Sequence, residues 1–317
     1  MLPQKYEVEA AAKRLDEISK QRAKDGFIAN NMSGFAEKID WKVPTAVHQY
    51  GGKDNVNWRI CAIEDEVAVE EVVFTVQGII VQCELPPVTK QFGRYTTPRN
   101  LQQRVVIAGL GSPAFEEAAK GFARLNAFLR CHLREDEAPS LMGQYQNYNT
   151  IEVSNRYFTS ARFANGEAHI PFTHDVDPRG ILEEIKGDKM VHVTENVVEY
   201  YERIVRNDDD QRQEFVNIPP SRITKGDIVE VQLTITLAEV QQQHKQRDNA
   251  KGQTDEHRTC LVLRGITLLD GQFSEKSRMF TATAPAETKA PKRKIGYEAE
   301  ATAGAQEKMK RMAIDRE

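Results

Sequence analysis

Arginines and aromatic residues recur together along this 317-residue chain. Three such stretches carry the chemistry to hold a polyanion. In the first, Tyr145, Tyr148, Tyr157, Phe158 and Phe163 are interleaved with Arg156 and Arg162, and with Asn147, Asn149 and Asn155. A single-stranded nucleic acid needs flat faces for its bases and cations for its phosphates on one surface. Alternate residues of a strand share a face, so Arg156, Phe158 and Arg162 form one expected platform, with Tyr157 on the opposite side. The second stretch, residues 91–104 (QFGRYTTPRNLQQR), brings Arg94, Tyr95, Arg99 and Arg104 with no acid among them. As a loop it would track a phosphate backbone. The third is the polar run 241–257, in which Lys245, Arg247 and Lys251 would act as a mobile clamp; loops of that length are usually functional or without fixed structure. Each stretch also has an ordinary reading, as an aromatic core edge or a solvated loop.

Other constellations are less specific. His169, His174, Asp175 and Asp177 in HIPFTHDVD are competent metal ligands. An extended His-x4-His segment, however, does not fix two imidazoles on one face as a helical HExxH does. A polar turn is the simpler reading and no metal is assigned, although a metal-dependent enzyme centred on His169 and His174 stays open as an alternative. Gly109 to Pro113 looks like a phosphate-binding turn, but it has neither G-x-G-x-x-G nor the lysine of a P-loop, so a plain strand-to-helix turn is expected. Lys289, Lys292, Arg293 and Lys294 resemble a nuclear-import cluster on a proline-extended segment. No nucleophile elbow occurs, and Cys131 and His132 are neighbours on an expected helix and so diverge. Glu64 to Glu71 and Asp208 to Asp210 read as solvated surface. No catalytic residue and no cofactor are assigned.

The elements that must position these residues follow from periodicity. Val8, Ala11, Leu15 and Ile18 recur at helical spacing within 5–25, but Ala10 to Ala12 keep the stripe shallow, so a surface arm is expected. Residues 72–83 (VVFTVQGIIVQC) are β-branched and short, a strand with Gly78 as a bulge or close-contact point. Arg104 to Leu110 is a second strand. Ser112 and Pro113 open a helix whose Phe115, Ala118, Phe122, Leu125 and Leu129 form one stripe. Residues 143–166 read as strands, with a hairpin turn at Asn165–Gly166. A short helix is expected after Pro178, and another after Thr194 that puts Val197, Val198, Tyr201, Ile204 and Val205 on one face. From Ile228 to Val240, apolar residues alternate with Glu230, Gln232, Thr234 and Thr236, a half-buried strand with one wet face. Cys260 to Leu269 is apolar on both sides and should be more central, with Gly265 allowing a bend.

Composition sets the outer limits. Hydrophobic residues make up 40% of the chain and charged ones 28%, enough for a sizeable core. Lys and Arg total 43 against 47 Asp and Glu, a net charge of −4, which argues against coating nucleic acid by bulk positive charge. Cys61, Cys83, Cys131 and Cys260 are spaced too widely for a disulfide framework, so a reducing compartment is expected. The charged start is not a secretory signal, and no apolar run nears the roughly 20 residues of a membrane helix.

Residues 176–201 (VDPRGILEEIKGDKMVHVTENVVEYY) and 226–271 (GDIVEVQLTITLAEV and RTCLVLRGITLLDG) resemble a family of chains expanded in mushroom-forming fungi. That resemblance implies membership of an expanded, mobile-element-associated group and no particular activity. The GD-x-V-x-V strand followed by a second long strand also resembles oligonucleotide-binding β-barrels of the OB type. The expectation is an α+β protein: a helical arm at 1–40, a β-rich subdomain with one long helix at 41–150, an OB-like or Greek-key barrel at 151–280, and a disordered tail at 281–317. The function expected is non-enzymatic binding of single-stranded DNA or RNA, in the nucleus or the cytoplasm. A structural or protein-interaction module acting through a sheet edge is the alternative, and no membrane contact is expected.

Overall fold

A computed structural model describes residues 2–3, 5–24, 31–32, 45–50, 57–65, 68–88, 97–133, 141–164, 166–205, 213–239 and 257–283. The chain divides into units 1–278 and 279–317; the expected tail lies almost entirely outside the described residues. Among the described residues, helices α1 (Val8–Lys24), α2 (Pro113–Leu133), α3 (Ile181–Lys186) and α4 (Gln272–Thr283) accompany thirteen strands. These are β1 (Thr45–Tyr50), β2 (Asn57–Asp65), β3 (Ala68–Glu71), β4 (Phe74–Glu84), β5 (Gln102–Ala108), β6 (Met142–Tyr145) and β7 (Tyr148–Arg156). They continue with β8 (Thr159–Ser160), β9 (Met190–Val191), β10 (Glu199–Val205), β11 (Gln213–Asn217), β12 (Ile228–Glu239) and β13 (His257–Asp270).

Five strands close on themselves. β4, β5 and β7 pair antiparallel in succession. β12 then returns to lie antiparallel against β4, giving the spatial order of a Greek key. β13 pairs antiparallel with β12 along its length and meets β7 in parallel at Val262↔Ser154, which completes the ring. The result is a five-stranded Greek-key barrel of OB type, with only a narrow seam between β7 and β13.

The barrel is not confined to 151–280, however. β4 and β5 supply two of its strands, and the expected boundary at 150/151 falls inside β7. The reason is edge pairing. β7 and β12 each keep a free edge after pairing with β13, and the β4–β5 hairpin is what joins them. Wings then extend the sheet, with β1, β2 and β3 continuing from the far half of β12 and β10 and β11 from the far half of β13.

Several local expectations hold because local chemistry decides them. Ser112 Oγ accepts from the Phe115 amide at 3.3 Å at the start of α2. Gly78 is a close-contact point, since a Cβ there would sit 3.0 Å from Ile107 and 3.1 Å from Phe115. Gly226 (φ 93°) turns the chain into β12, and a Cβ there would meet the Tyr6 ring at 2.8 Å. The Tyr6 hydroxyl donates to the Gly226 carbonyl at 2.7 Å. Next to it, buried Asp227 accepts from the Thr224 amide at 2.6 Å and from the Ser274 hydroxyl of α4. Its burial holds the carboxyl above the ordinary aspartate value.

Three expectations fail, each through tertiary contact. The segment after Thr194 makes only a 3-10 turn and then strand β10, where its β-branched and aromatic residues pair with β13. α1 is not a surface arm: Ala11, Leu15 and Ile18 are buried in the main core. Nor does β12 have a wet face, because Glu230 and Thr234 are 2% and 1% exposed. Arg264 Nε donates to the Thr234 hydroxyl at 3.2 Å, and Glu230 is covered by Arg22 of α1. Its Nε and Nη2 donate to the two Glu230 oxygens at 2.9 and 2.7 Å, Gln77 donates to the same carboxylate at 2.8 Å, and the Phe215 ring lies 5.3 Å from the guanidinium. Among the described residues, no helix is long and apolar enough to cross a membrane.

Removing one member of this pair would strand the other charge in the interior. Arg22→Ala and Glu230→Ala are each expected to lower the unfolding free energy in urea by about 3–5 kcal/mol. The double variant Arg22→Met with Glu230→Leu should lose less than either single one.

Candidate nucleic-acid interface

The strand pairings define one outward face between two long connections. Gln102 pairs with Arg156, so the 85–101 connection enters the sheet at the C-terminal end of β7. The parallel pairing Val262↔Ser154 puts the start of β13, and the 240–256 connection before it, toward the opposite end. Register makes Gln102, Arg104 and Val106 of β5 neighbours of Arg156, Ser154 and Glu152 of β7. Arg258, Cys260 and Val262 continue this face on β13 by alternation.

The guanidinium groups of Arg99 and Arg258 lie within electrostatic reach of Arg156. Arg99 comes from a 3-10 turn, Pro98–Asn100, at the end of the first connection. Arg156 ends β7, and Arg258 lies at the start of β13. All three are exposed. Partial desolvation pushes the Arg156 pKa down and the like charge of Arg99 pushes it further; Cys260 opposes this, and Arg258 adds the last lowering effect. Among the described residues, none of the three guanidinium groups forms an ion pair. The Cys260 thiol itself is raised by burial.

The other basic residues of this region are occupied. Arg104 donates to Glu84 at 2.7 Å and pairs with Glu152 at 3.2 Å. It thus ties β4, β5 and β7 together instead of offering a free cation. Arg264, next outward on β13, reaches Glu195 at 2.9 Å and Glu71 at 3.2 Å. Arg59 of β2 meets the same two carboxylates, Glu71 at 3.2 Å and Glu195 at 3.1 Å. Glu71, read as solvated from its acidic run, is therefore part of an ion-pair network. Burial alone would raise the Glu195 pKa, but the hydrogen bond from Arg59 and the charges of Arg264 and Arg59 bring it below the ordinary value.

Arg156, Phe158 and Arg162 do not share one exposed face. Phe158 is 1% exposed and cannot stack a base. The strand stops at Arg156, and Tyr157 and Phe158 turn into a second small core with Leu182. The adjacent rings favour that burial over exposure. Arg162 is exposed, its guanidinium 4.3 Å from the Phe163 ring, with no described contact to the arginine cluster. Arg94, Tyr95, Lys245, Arg247, Lys251, Lys289, Lys292, Arg293 and Lys294 lie outside the described residues. Arg258, not singled out from the sequence, is a further candidate, outward by the alternation that links it to Cys260 and Val262.

Two other candidate sites are filled by the chain itself. At the start of α2, the Asp16 carboxylate of α1 accepts from the Ser112 hydroxyl at 2.5 Å and the Ala114 amide at 3.2 Å. An internal carboxylate thus sits where an anion would bind. The His169 ring is used at both nitrogens: Nδ1 accepts from the His192 amide at 3.1 Å, and Nε2 lies 3.0 Å from Glu183. Among the described residues, no group of three or more His, Cys, Asp or Glu side chains could hold a metal ion.

No family model matches the chain, and no curated protein matches it. Among solved structures it is similar to gp2.5, a single-stranded DNA binding protein encoded by bacteriophage T7. The two are 12% identical, with a TM-score of 0.32, over 63% of this chain and 92% of that one.

The Glu195 network has a pH signature. A carboxyl with a lowered folded pKa adds stability above its unfolded value, near 4.5, and this is lost as pH falls through the folded value. Urea midpoints measured from pH 7 downward should therefore fall less steeply below pH 4.5 in Glu195→Gln than in the native protein.

Proposed function

We propose that this protein binds single-stranded nucleic acid, without catalysis, across the outer face of β5, β7 and the start of β13. The observation that carries this reading is a set of exposed arginines without carboxylate partners among the described residues, Arg156 at the end of β7 with Arg99 and Arg258 within its electrostatic reach. Like charges held this close repel one another, and a chain of phosphates between them would relieve that repulsion. The location supports the reading too. OB-type barrels bind oligonucleotides on the face of their second and third strands, between the loop joining strands one and two and the loop joining strands four and five. In this barrel those are β5 and β7, with connections 85–101 and 240–256. Arg94, Tyr95, Lys245, Arg247 and Lys251 belong to those connections and complete the proposed interface. The basic cluster Lys289, Lys292, Arg293 and Lys294 is the feature that supports a nuclear location.

A second reading is a protein-interaction module. β11 is the last strand at one end of the sheet order. Phe215 on it and Ile204 and Val205 on β10 are 44%, 40% and 43% exposed. A partner strand added there would give an association that survives high salt.

Fluorescence anisotropy of a labelled oligo-dT separates the two. Arg99, Arg156 and Arg258 alone would make log affinity fall with log salt at a slope of about −2, from about −0.7 per contact on single strands, and cations from the two connections would steepen it. Arg99→Ala, Arg156→Ala and Arg258→Ala should each reduce that slope by about 0.7. Arg104→Ala, whose side chain is held by Glu84 and Glu152, should leave it nearly unchanged. Absence of binding to any oligonucleotide at low salt would remove the proposal.

A further inference from the structure

We infer that Glu84 and Glu152 are built-in competitors for phosphate, which hold Arg104 out of the nucleic-acid interface and so limit its affinity. This rests on the nucleic-acid reading above. Register places Arg104 between opposite charges. It stands directly across from Glu84 on β4 and from Ser154 on β7. Its two diagonal neighbours on β7 are therefore Glu152 and Arg156, which share its outward face. Diagonal neighbours lie roughly 7–8 Å apart, within reach of a long side chain.

The guanidinium turns to the acids. Nη2 donates to Glu84 at 2.7 Å, and Nη1 lies 3.2 Å from Glu152. Glu84 and Glu152 stand in solvent, 58% and 54% exposed, whereas the Arg104 side chain is 23% exposed. One cation faces two carboxylates, so the patch beside Arg156 is negative on balance. A phosphate approaching Arg156 meets that repulsion, and taking Arg104 for itself would leave both acids unneutralised next to it. The strand therefore gains Arg156 but not the cation diagonal to it. Exposed ion pairs add little to stability, so neutralising the two acids leaves the fold intact.

The experiment uses the full chain carrying Glu84→Gln and Glu152→Gln together, read by anisotropy of a labelled oligo-dT across a range of salt. The slope of log affinity against log salt should steepen from the native value by about 0.7, one further phosphate contact. That corresponds to about eightfold tighter binding at roughly 50 mM salt, fading toward about 1 M. Adding Arg104→Ala to the pair should return the slope to the native value. Arg104→Ala alone breaks the same ion pairs and controls for any loosening of the sheet. Cations of the two connections enter every slope alike, so only the differences count. A native slope in the double variant overturns the inference. So does a slope that steepens equally without Arg104, because the gain then comes from lost repulsion only. In both outcomes the native protein still binds dT, so the nucleic-acid reading survives. If neither the native protein nor the double variant binds at low salt, both fall.

Discussion

The ladder between β12 and β13 is the constraint on which the rest of this protein depends. Every residue from Ile228 to Glu239 is paired with one between His257 and Asp270, and the register shifts near Gln232 and Leu233. Each strand then exchanges its other neighbour partway along. β12 holds β4 through residues 228–233 and β2 through 236–238. β13 meets β7 at Val262 and β10 from Gly265 to Leu268. Ring and wings therefore share one pair of strands. A slip of one residue would turn Val229, Val231 and Leu233 from the core to the face of Glu230. Such a slip would also break the bond from Arg22 to Glu230, which fastens α1 to the barrel.

Charge in this molecule is sorted by partnership. Arg14, Arg22, Arg59, Arg104 and Arg264 are all consumed by carboxylates, and each links segments distant in the chain. Arg22 is the most deeply placed, and its two-pronged geometry satisfies a carboxylate that α1 removes from water. After this pairing, Arg99, Arg156 and Arg258 stand on one face with no described acid to neutralise them. A net charge of −4 is therefore compatible with a local cationic surface, because the field at a groove depends on which charges lack partners there.

The small core around Phe172 joins folding to the candidate site. It lies between the end of β7 and the return at β9, built from residues that make little regular structure. It holds the Leu101 carbonyl, the Tyr157 backbone and the His192 ring in one set of hydrogen bonds and ring contacts. The residues it buries are those whose composition most resembles a stacking platform. Aromatic content near arginine therefore has two physical outcomes, and the packing of neighbouring apolar groups selects between them.

By itself the sequence determined what depends on neighbours a few residues away. The strands at Phe74–Glu84, Gln102–Ala108 and His257–Asp270, the capped helix from Pro113 and the turn at Gly226 were legible because β-branching, capping chemistry and glycine conformation act locally. Arg99 and Arg156 were legible by type as candidates for the proposed interface. Only the tertiary structure decided that β4 and β5 belong to the same barrel as β12 and β13, since closure depends on edges far apart in the chain. Contacts of the same range gave Glu230 a buried guanidinium, turned Phe158 inward and put Arg258 within electrostatic reach of Arg156. Alternation states which side of a strand a residue faces, but what covers that side comes from elsewhere in the fold.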